Sequence, residues 1–361
     1  MDARAGSFAK WQAARARGAT APARLAVIGD SNVVGAGSGA TGAEKLGGAW
    51  STSLTARFAA LTGYRADHLF GDQNLLAANS LPTYDTYDAR LTLGSGWAPD
   101  NNVSIIPGGR FFRAVAGSAG KLRFTPGATD ITKFRVYYPT SSGLATALTV
   151  SIDGTLVDTL SQVGSIAYVY RDYTVAAGSS HYIEVGGGAT GNMYVAGFET
   201  FNGTDTPSLL QWGRCGLKAA DLNAATYAWD SKPASVTLAA DYAVIYCTVN
   251  DITAGTALQS YYASMEAYVS AIAATCDGCL VVGYPSNSTG TTNGSLDLMA
   301  GLLRGMAEDY DWSFVDLRAE LGHSNTRTAA LSYRFDDAHP NAAGAQAIAD
   351  TLYDALSAGL A

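Results

Sequence analysis

Four short stretches of the chain carry groups suited to acyl transfer. Gly29-Asp30-Ser31-Asn32 offers a hydroxyl, Gly213-Arg214-Cys215-Gly216 a glycine amide, and Asn250-Asp251 a carboxamide. Asp336-Asp337-Ala338-His339-Pro340-Asn341 places carboxylates three and two residues ahead of an imidazole. A serine hydroxyl attacks a carbonyl only when a base takes its proton, and the tetrahedral oxyanion that follows needs preorganised N–H donors. Taken singly, each stretch has a plainer structural reading: Ser31 as a helix cap, Gly216 and Asn250-Asp251 as turn residues, His339 as a neighbour of a helix start at Pro340-Asn341.

Such groups meet only if the elements before them end side by side. Residues 24–29, RLAVIG, form a short continuous apolar run that suits a buried parallel strand. A helix follows, with Trp50, Leu54, Phe58 and Leu61 on one stripe and Gly63 as its C-cap. From about residue 208 the same rhythm returns, with strands at 208–212, 243–249, 280–282 and 313–317. Helices fall between them, one striped by Leu258, Tyr261, Met265, Val269 and Ile272, one at 295–309, and a last one at 341–356. Alternating strands and helices imply a parallel sheet covered on both faces, with reactive groups in the loops at its carboxyl ends.

Between residues 92 and 205 the apolar period changes from 3.6 to 2. Leu122 and Phe124, then Phe134, Val136 and Tyr138, then Leu148, Val150 and Ile152 alternate with other residues, and Asp153-Gly154 is a hairpin signal. Further strands are expected at 167–173, 181–185 and 193–201. This predicts an antiparallel sandwich or jelly roll (92–205) inserted into an α/β domain made of residues 1–91 and 206–361.

In order, spacing and position after strands, the four stretches resemble the signature blocks of the SGNH hydrolases, also called GDSL esterases. The resemblance implies a flavodoxin-like three-layer α/β/α core. It also implies Ser31 as nucleophile, His339 as general base and Asp336 as the residue that orients it. Ser31, Gly216 and Asn250 would form the oxyanion hole. Thr248 stands where the family has Gly, and Asp337 is a second carboxylate at a spacing one residue short of the DxxH block. The resemblance implies neither a cofactor nor a metal.

Composition narrows the partners. A net charge of −8 and a pI of about 4.9 argue against nucleic acid. No run approaches the roughly 18 to 20 apolar residues of a membrane span, so no membrane insertion is expected. Residues 1–20 lack the apolar block of a leader, and extracellular, periplasmic or virion-associated action stays compatible with the chain. Four cysteines suggest buried thiols, with Cys276 and Cys279 spaced for one local bridge. His68, His181 and His323 are expected at the surface or in loops. The GxGxxG letters at 37–42 begin eight residues after Gly29 and open no apolar helix, so they suggest a loop.

The 92–205 segment holds seven tyrosines, a residue suited to stacking on sugar rings, and resembles a carbohydrate-binding module. The expected function is therefore a serine esterase removing small acyl groups, most plausibly O-acetyl, from a polysaccharide or glycan. The alternatives are a general lipase or arylesterase and a glycan-binding adhesin with a vestigial hydrolase core. The oligomeric state is left open.

Overall fold

The computed structural model describes residues 3–4, 6–18, 20–38, 49–71, 88–100, 106–127, 130–187, 190–203, 206–283, 291–322, 325–336 and 338–360. The α/β part opens with β1 (Ala3–Arg4), α1 (Ala9–Ala16), β2 (Arg24–Gly29), α2 (Ser31–Val34) and α3 (Trp50–Thr62). It resumes with β3 (Ser208–Gly213), α4 (Ala219–Leu222), α5 (Ser231–Leu238), β4 (Tyr242–Tyr246), α6 (Val249–Thr253) and α7 (Leu258–Ala273). It ends with β5 (Asp277–Val282), α8 (Thr291–Asp309), β6 (Ser313–Asp316), α9 (Arg318–Leu321), α10 (Asn325–Ala330) and α11 (Ala342–Leu360).

The sheet runs β1-β6-β5-β4-β2-β3, with every pairing parallel except β1 against β6. Without β1 this is the flavodoxin-like strand order, whose direction of winding reverses beside β2. The period of two along β2 sends Leu25 and Val27 to one apolar layer, with Trp50, Leu54 and Phe58 of α3 and Ile348 and Leu352 of α11. It sends Ala26 and Ile28 to the other, with Met265, Val269 and Ile272 of α7.

Three details differ from the expectations. The run at 243–249 stays extended only to Tyr246, because Thr248 is already the N-cap of α6. Helix α1 was hidden by its polar composition. It is held by the Asp277 carboxylate, which accepts from the amides of Lys10 and Trp11 at 2.7 and 3.2 Å, while the Trp11 indole is buried. Cys276 and Cys279 form no bridge: they belong to apolar layers on opposite faces of the sheet, and all four cysteines are buried free thiols.

The strands described in the intervening segment pair antiparallel. A five-stranded sheet runs Thr155–Leu160, Leu148–Ile152, Ile183–Gly186, Lys121–Phe124, Leu91–Leu93. A four-stranded sheet runs Ala167–Gly178, Ile131–Thr140, Gly197–Phe201, Leu69–Phe70, and a three-stranded one Met193–Val195, Phe112–Ala114, Trp97–Pro99. Asp153 and Gly154 both take positive φ, 51° and 80°, as a type I′ hairpin turn demands. Leu122, Phe124, Phe134, Val136, Leu148 and Val150 share the core between the sheets.

The other face of the four-stranded sheet packs on the α/β part. Tyr137, on the strand face opposite Phe134, Val136 and Tyr138, joins Phe70, Ile28 and Trp212 in one cluster and is buried. Charged groups cross the same seam. Arg24 at the start of β2 pairs with Glu199 at 2.8 Å, and the Tyr137 hydroxyl donates to Glu199 at 2.6 Å. His68, expected at the surface or in a loop, lies in the loop before Leu69 but is buried, and accepts from the Thr200 amide at its Nδ1, 3.1 Å. Burial pushes its imidazole down to about 4, so it stays neutral there. His181 lies half-buried in the antiparallel part, bonded to Asp153 at 2.6 Å; His323 lies outside the described residues.

Candidate active site

Strand register brings the sequence-selected residues to one edge of the sheet. Gly29, the last residue of β2, lies opposite Gly213 of β3 on one side and Tyr246 of β4 on the other. Ser31, Gly216 and Asn250 follow these three positions by two, three and four residues, so all leave neighbouring strands at the same end, where the winding reverses. Gly29 has to be glycine: a Cβ there would lie 2.2 Å from the Tyr246 carbonyl oxygen.

Ser31 is the first residue of α2 and is nearly buried. Asp30 caps the helix, accepting from the Asn32 amide at 2.9 Å and the Asn32 side chain at 3.0 Å. Burial, opposed by those hydrogen bonds and by His339, pushes the Asp30 carboxyl up to about 6. Its Oδ2 has no hydrogen-bond partner among the described residues.

Ser31 Oγ lies 2.9 Å from His339 Nε2. His339 Nδ1 lies 3.0 and 2.9 Å from the two carboxylate oxygens of Asp336. Burial alone would raise the Asp336 carboxyl, but hydrogen bonds from the His339 ring and from the amides of Ala338 and His339 hold it below the ordinary carboxylate range. An ionised carboxylate only accepts, so the Nδ1 facing it carries the proton and the Nε2 lone pair faces the serine hydroxyl. Asp337 lies outside the described residues.

The loop bearing His339 is pinned from two sides. Phe335 donates its amide to the His339 carbonyl at 3.0 Å. Asn341 donates to the Ser332 carbonyl at 2.7 Å and accepts from the Gly344 amide at 3.0 Å, so the helix start foreseen at Pro340-Asn341 coexists with the chemistry. Gly37 packs underneath with φ +78°, and a Cβ there would come within 2.9 Å of the His339 and Phe335 side chains. Of the GxGxxG letters only Gly37 and Ser38 are described; 39–42 lie outside.

Gly216 is exposed in a turn at φ +75°. Asn250 spends one side-chain N–H on the Leu217 carbonyl at 3.0 Å, which ties α6 to the Gly216 turn and leaves its other N–H for a ligand. The Ala219 amide donates to Asp251 at 2.9 Å and strengthens the same tie. Thr248, the departure from the family's Gly, fits because residue 283 is glycine: its hydroxyl accepts from the Gly283 amide at 3.2 Å, and a Cβ at 283 would sit 2.4 Å from that oxygen. Sequence reasoning missed the Leu217 carbonyl, a backbone group without a side-chain signal, and Gly37, whose short GxG motif pointed only to a loop. A hydroxyl, a base with its orienting carboxylate, and amide donors at one sheet edge can carry out acyl transfer.

The GDSL-like lipase/acylhydrolase family matches residues 166–347, half of the chain, a span that includes Gly216, Asn250, Asp336 and His339. The chain belongs to that family. It is thus an acyl-ester hydrolase of the SGNH type, with the Ser31 segment outside the matched span. No curated protein sequence matches this acylhydrolase. Among solved structures, a peptidoglycan O-acetylesterase shares its fold with a TM-score of 0.72 at 16% identity, covering 98% of this chain and 95% of that one. The likeness therefore takes in the antiparallel part as well as the parallel sheet. The acetylxylan esterase Axe2 from Geobacillus stearothermophilus aligns with a TM-score of 0.36 at 18% identity, over 42% of this chain and 74% of that one.

Proposed function

We propose that the protein hydrolyses small acyl esters, O-acetyl foremost, on a polysaccharide or glycan through an acyl-serine on Ser31. The observation that carries this reading is the hydrogen-bonded line from Ser31 Oγ through the His339 ring to Asp336. His339 Nε2 takes the hydroxyl proton as Ser31 Oγ bonds to the ester carbonyl carbon. The oxyanion so formed is held by the amides of Ser31 and Gly216 and the free N–H of Asn250. The C–O bond to the sugar breaks as the imidazolium returns its proton to the leaving alcohol. Water, deprotonated by the same nitrogen, then releases the acid and frees Ser31. Asp336 keeps the proton on Nδ1 throughout.

The glycan part of the reading draws on the fold shared along 98% of the chain with a peptidoglycan O-acetylesterase. The tyrosines give it less support than the sequence promised: Tyr137, Tyr138, Tyr168 and Tyr173 are buried, and the exposed Tyr170 is covered by the Arg135 guanidinium 3.8 Å from its ring centre.

The test is acetate release from a panel of acetylated polysaccharides, with Ser31→Ala beside the parent. Release by the parent and a loss of at least about 10⁴-fold in Ser31→Ala are expected. Parent and variant equally inactive on every acetyl ester would favour a vestigial core. Preference for octanoyl over acetyl p-nitrophenyl esters would favour a lipase.

A further inference from the structure

A cleft of about 300 Å³ opens where the antiparallel part meets the segment between α4 and α5. One wall is an aromatic pair: Tyr227 and Trp229 stack with ring centres 5.1 Å apart and planes 14° from parallel. Phe111 meets Trp229 edge-on at 6.3 Å and Tyr194 edge-on at 5.8 Å, so Tyr227 and Phe111 brace the indole and Tyr194 backs Phe111. Tyr227 is 46% exposed, far more than packing alone would leave it. Its loop is nevertheless fixed, because the Tyr227 amide donates to the Asp230 carboxylate at 2.8 Å and the Asp230 amide donates back to the Tyr227 carbonyl at 3.0 Å.

The cleft also carries hydroxyl-binding groups. The Asp100 carboxylate is nearly buried in the lining and lies close enough to Tyr194 to add to the burial that raises its phenol. Ser141 adds a hydroxyl at the end of the long strand Ile131–Thr140. A carboxylate accepts several hydrogen bonds at once, a serine both donates and accepts, and an indole face covers apolar C–H surface. A pyranose presents that combination, C–H groups on its faces and hydroxyls around its edge. The volume lies at the small end of the roughly 300–1,000 Å³ typical of ligand clefts. The larger groove between α7 and α8, lined by Leu258, Tyr262, Leu298 and Leu302, is almost wholly apolar and makes no such offer.

We infer that this cleft is a sugar-binding subsite that holds one pyranose ring of the polymer against Trp229 and Tyr227. It deepens the glycan reading and rests on it for the identity of the polymer. The segment that carries the aromatic pair follows α4, which itself begins three residues after Gly216 in the chain.

The experiment uses the full chain and three forms: parent, Trp229→Ala and Tyr227→Ala. Each is titrated with xylotetraose and with a tetramer of N-acetylglucosamine by tryptophan fluorescence and calorimetry. Each is also assayed on p-nitrophenyl acetate and on acetylated xylan and peptidoglycan. Binding of at least one tetramer by the parent, weakened roughly 10- to 100-fold in Trp229→Ala with unchanged p-nitrophenyl acetate turnover, is expected. A matching drop in kcat/KM on the polymer should accompany it. Tyr227→Ala, at an exposed position, keeps the test valid if Trp229→Ala fails to fold. No binding of either tetramer by the parent, or equal binding by parent and Tyr227→Ala, overturns the subsite. A parent that binds a tetramer but releases no acetate from any polymer overturns the glycan-esterase reading and leaves the subsite standing.

Discussion

The two ends of β2 bury a carboxylate each and treat it in opposite ways. At the amino end Glu199 meets the Arg24 guanidinium and the Tyr137 hydroxyl, and these partners hold it below the ordinary range although burial pushes the other way. At the carboxyl end Asp30 receives, among the described residues, the two donors of Asn32, keeps one oxygen without a partner there, and is pushed up to about 6. Both groups are fully buried, so the presence of a cation, not depth, separates them. The seam is a fastening whose charges are matched. The site end retains an unmatched polar group beside the residues that react, a cost that proteins bear where function needs it.

Breaking the matched end should have the largest effect. Arg24→Ala leaves the buried Glu199 carboxylate without its ion-pair partner while the Tyr137 hydroxyl still donates to it, and a loss of about 3–5 kcal/mol is expected in chemical denaturation at pH 7. Pairing Arg24→Met with Glu199→Gln removes both charges and should recover more than half of that loss. If the single variant lost under about 1 kcal/mol, the contrast between the two ends would collapse.

The same contrast explains what the sequence disclosed. Ser31, His339 and Asp336 were legible because acyl transfer demands particular side chains at short local spacings, and the strand-end positions followed from apolar runs such as 24–29. Hydrophobic period two likewise exposed the strands containing Leu122, Phe134 and Leu148. His68 and Arg24 were not legible as buried residues. Their environments come from Thr200 and Glu199, 132 and 175 positions away, and a polar side chain shows no periodicity that reports its distant partner. Alternation put Tyr137 on the face opposite Val136 and Tyr138, but no local signal showed that the α/β part covers that face as well. Helix α1 depends on a carboxylate at Asp277, equally remote in sequence.

The unmatched end predicts a smaller effect of opposite sign. Because the folded carboxyl of Asp30 titrates near 6 and its ordinary value is 3.8, between those values the unfolded chain has given up a proton that the folded chain still holds. Asp30's contribution to stability therefore falls as pH rises from about 4 to about 6 and stays lower above that window, while buried His68 contributes in the opposite direction over much of the same range. Asp30→Asn should remove that contribution, so that the variant's stability minus the parent's grows between pH 4 and pH 6 and reaches up to about 3 kcal/mol at pH 7. The Asn oxygen can still accept from the Asn32 amide, so the cap survives. Denaturation series of parent and variant at pH 4, 5, 6 and 7 measure that difference, and a difference that does not change with pH would mean that Asp30 is charged in the folded protein.

Gly216→Ala carries the smallest stability effect and addresses the site end from its other wall. A Cβ there would meet no atom within 4 Å, so no collision is involved and only the left-handed backbone at φ +75° resists the substitution. That resistance is about 1–2 kcal/mol. If the turn relaxes toward negative φ to relieve it, the residue 216 amide rotates away from its position beside Asn250 and the oxyanion loses a donor. Loss of one such donor costs about 10²- to 10³-fold in kcat, far more than the stability change would suggest. A fall in kcat on p-nitrophenyl acetate with KM and the denaturation midpoint little altered is therefore the expected pattern. Unchanged kcat with an equally unchanged denaturation midpoint, the sign of a relaxed turn, would assign Gly216 to the turn alone and shift the oxyanion role to Ser31 and Asn250.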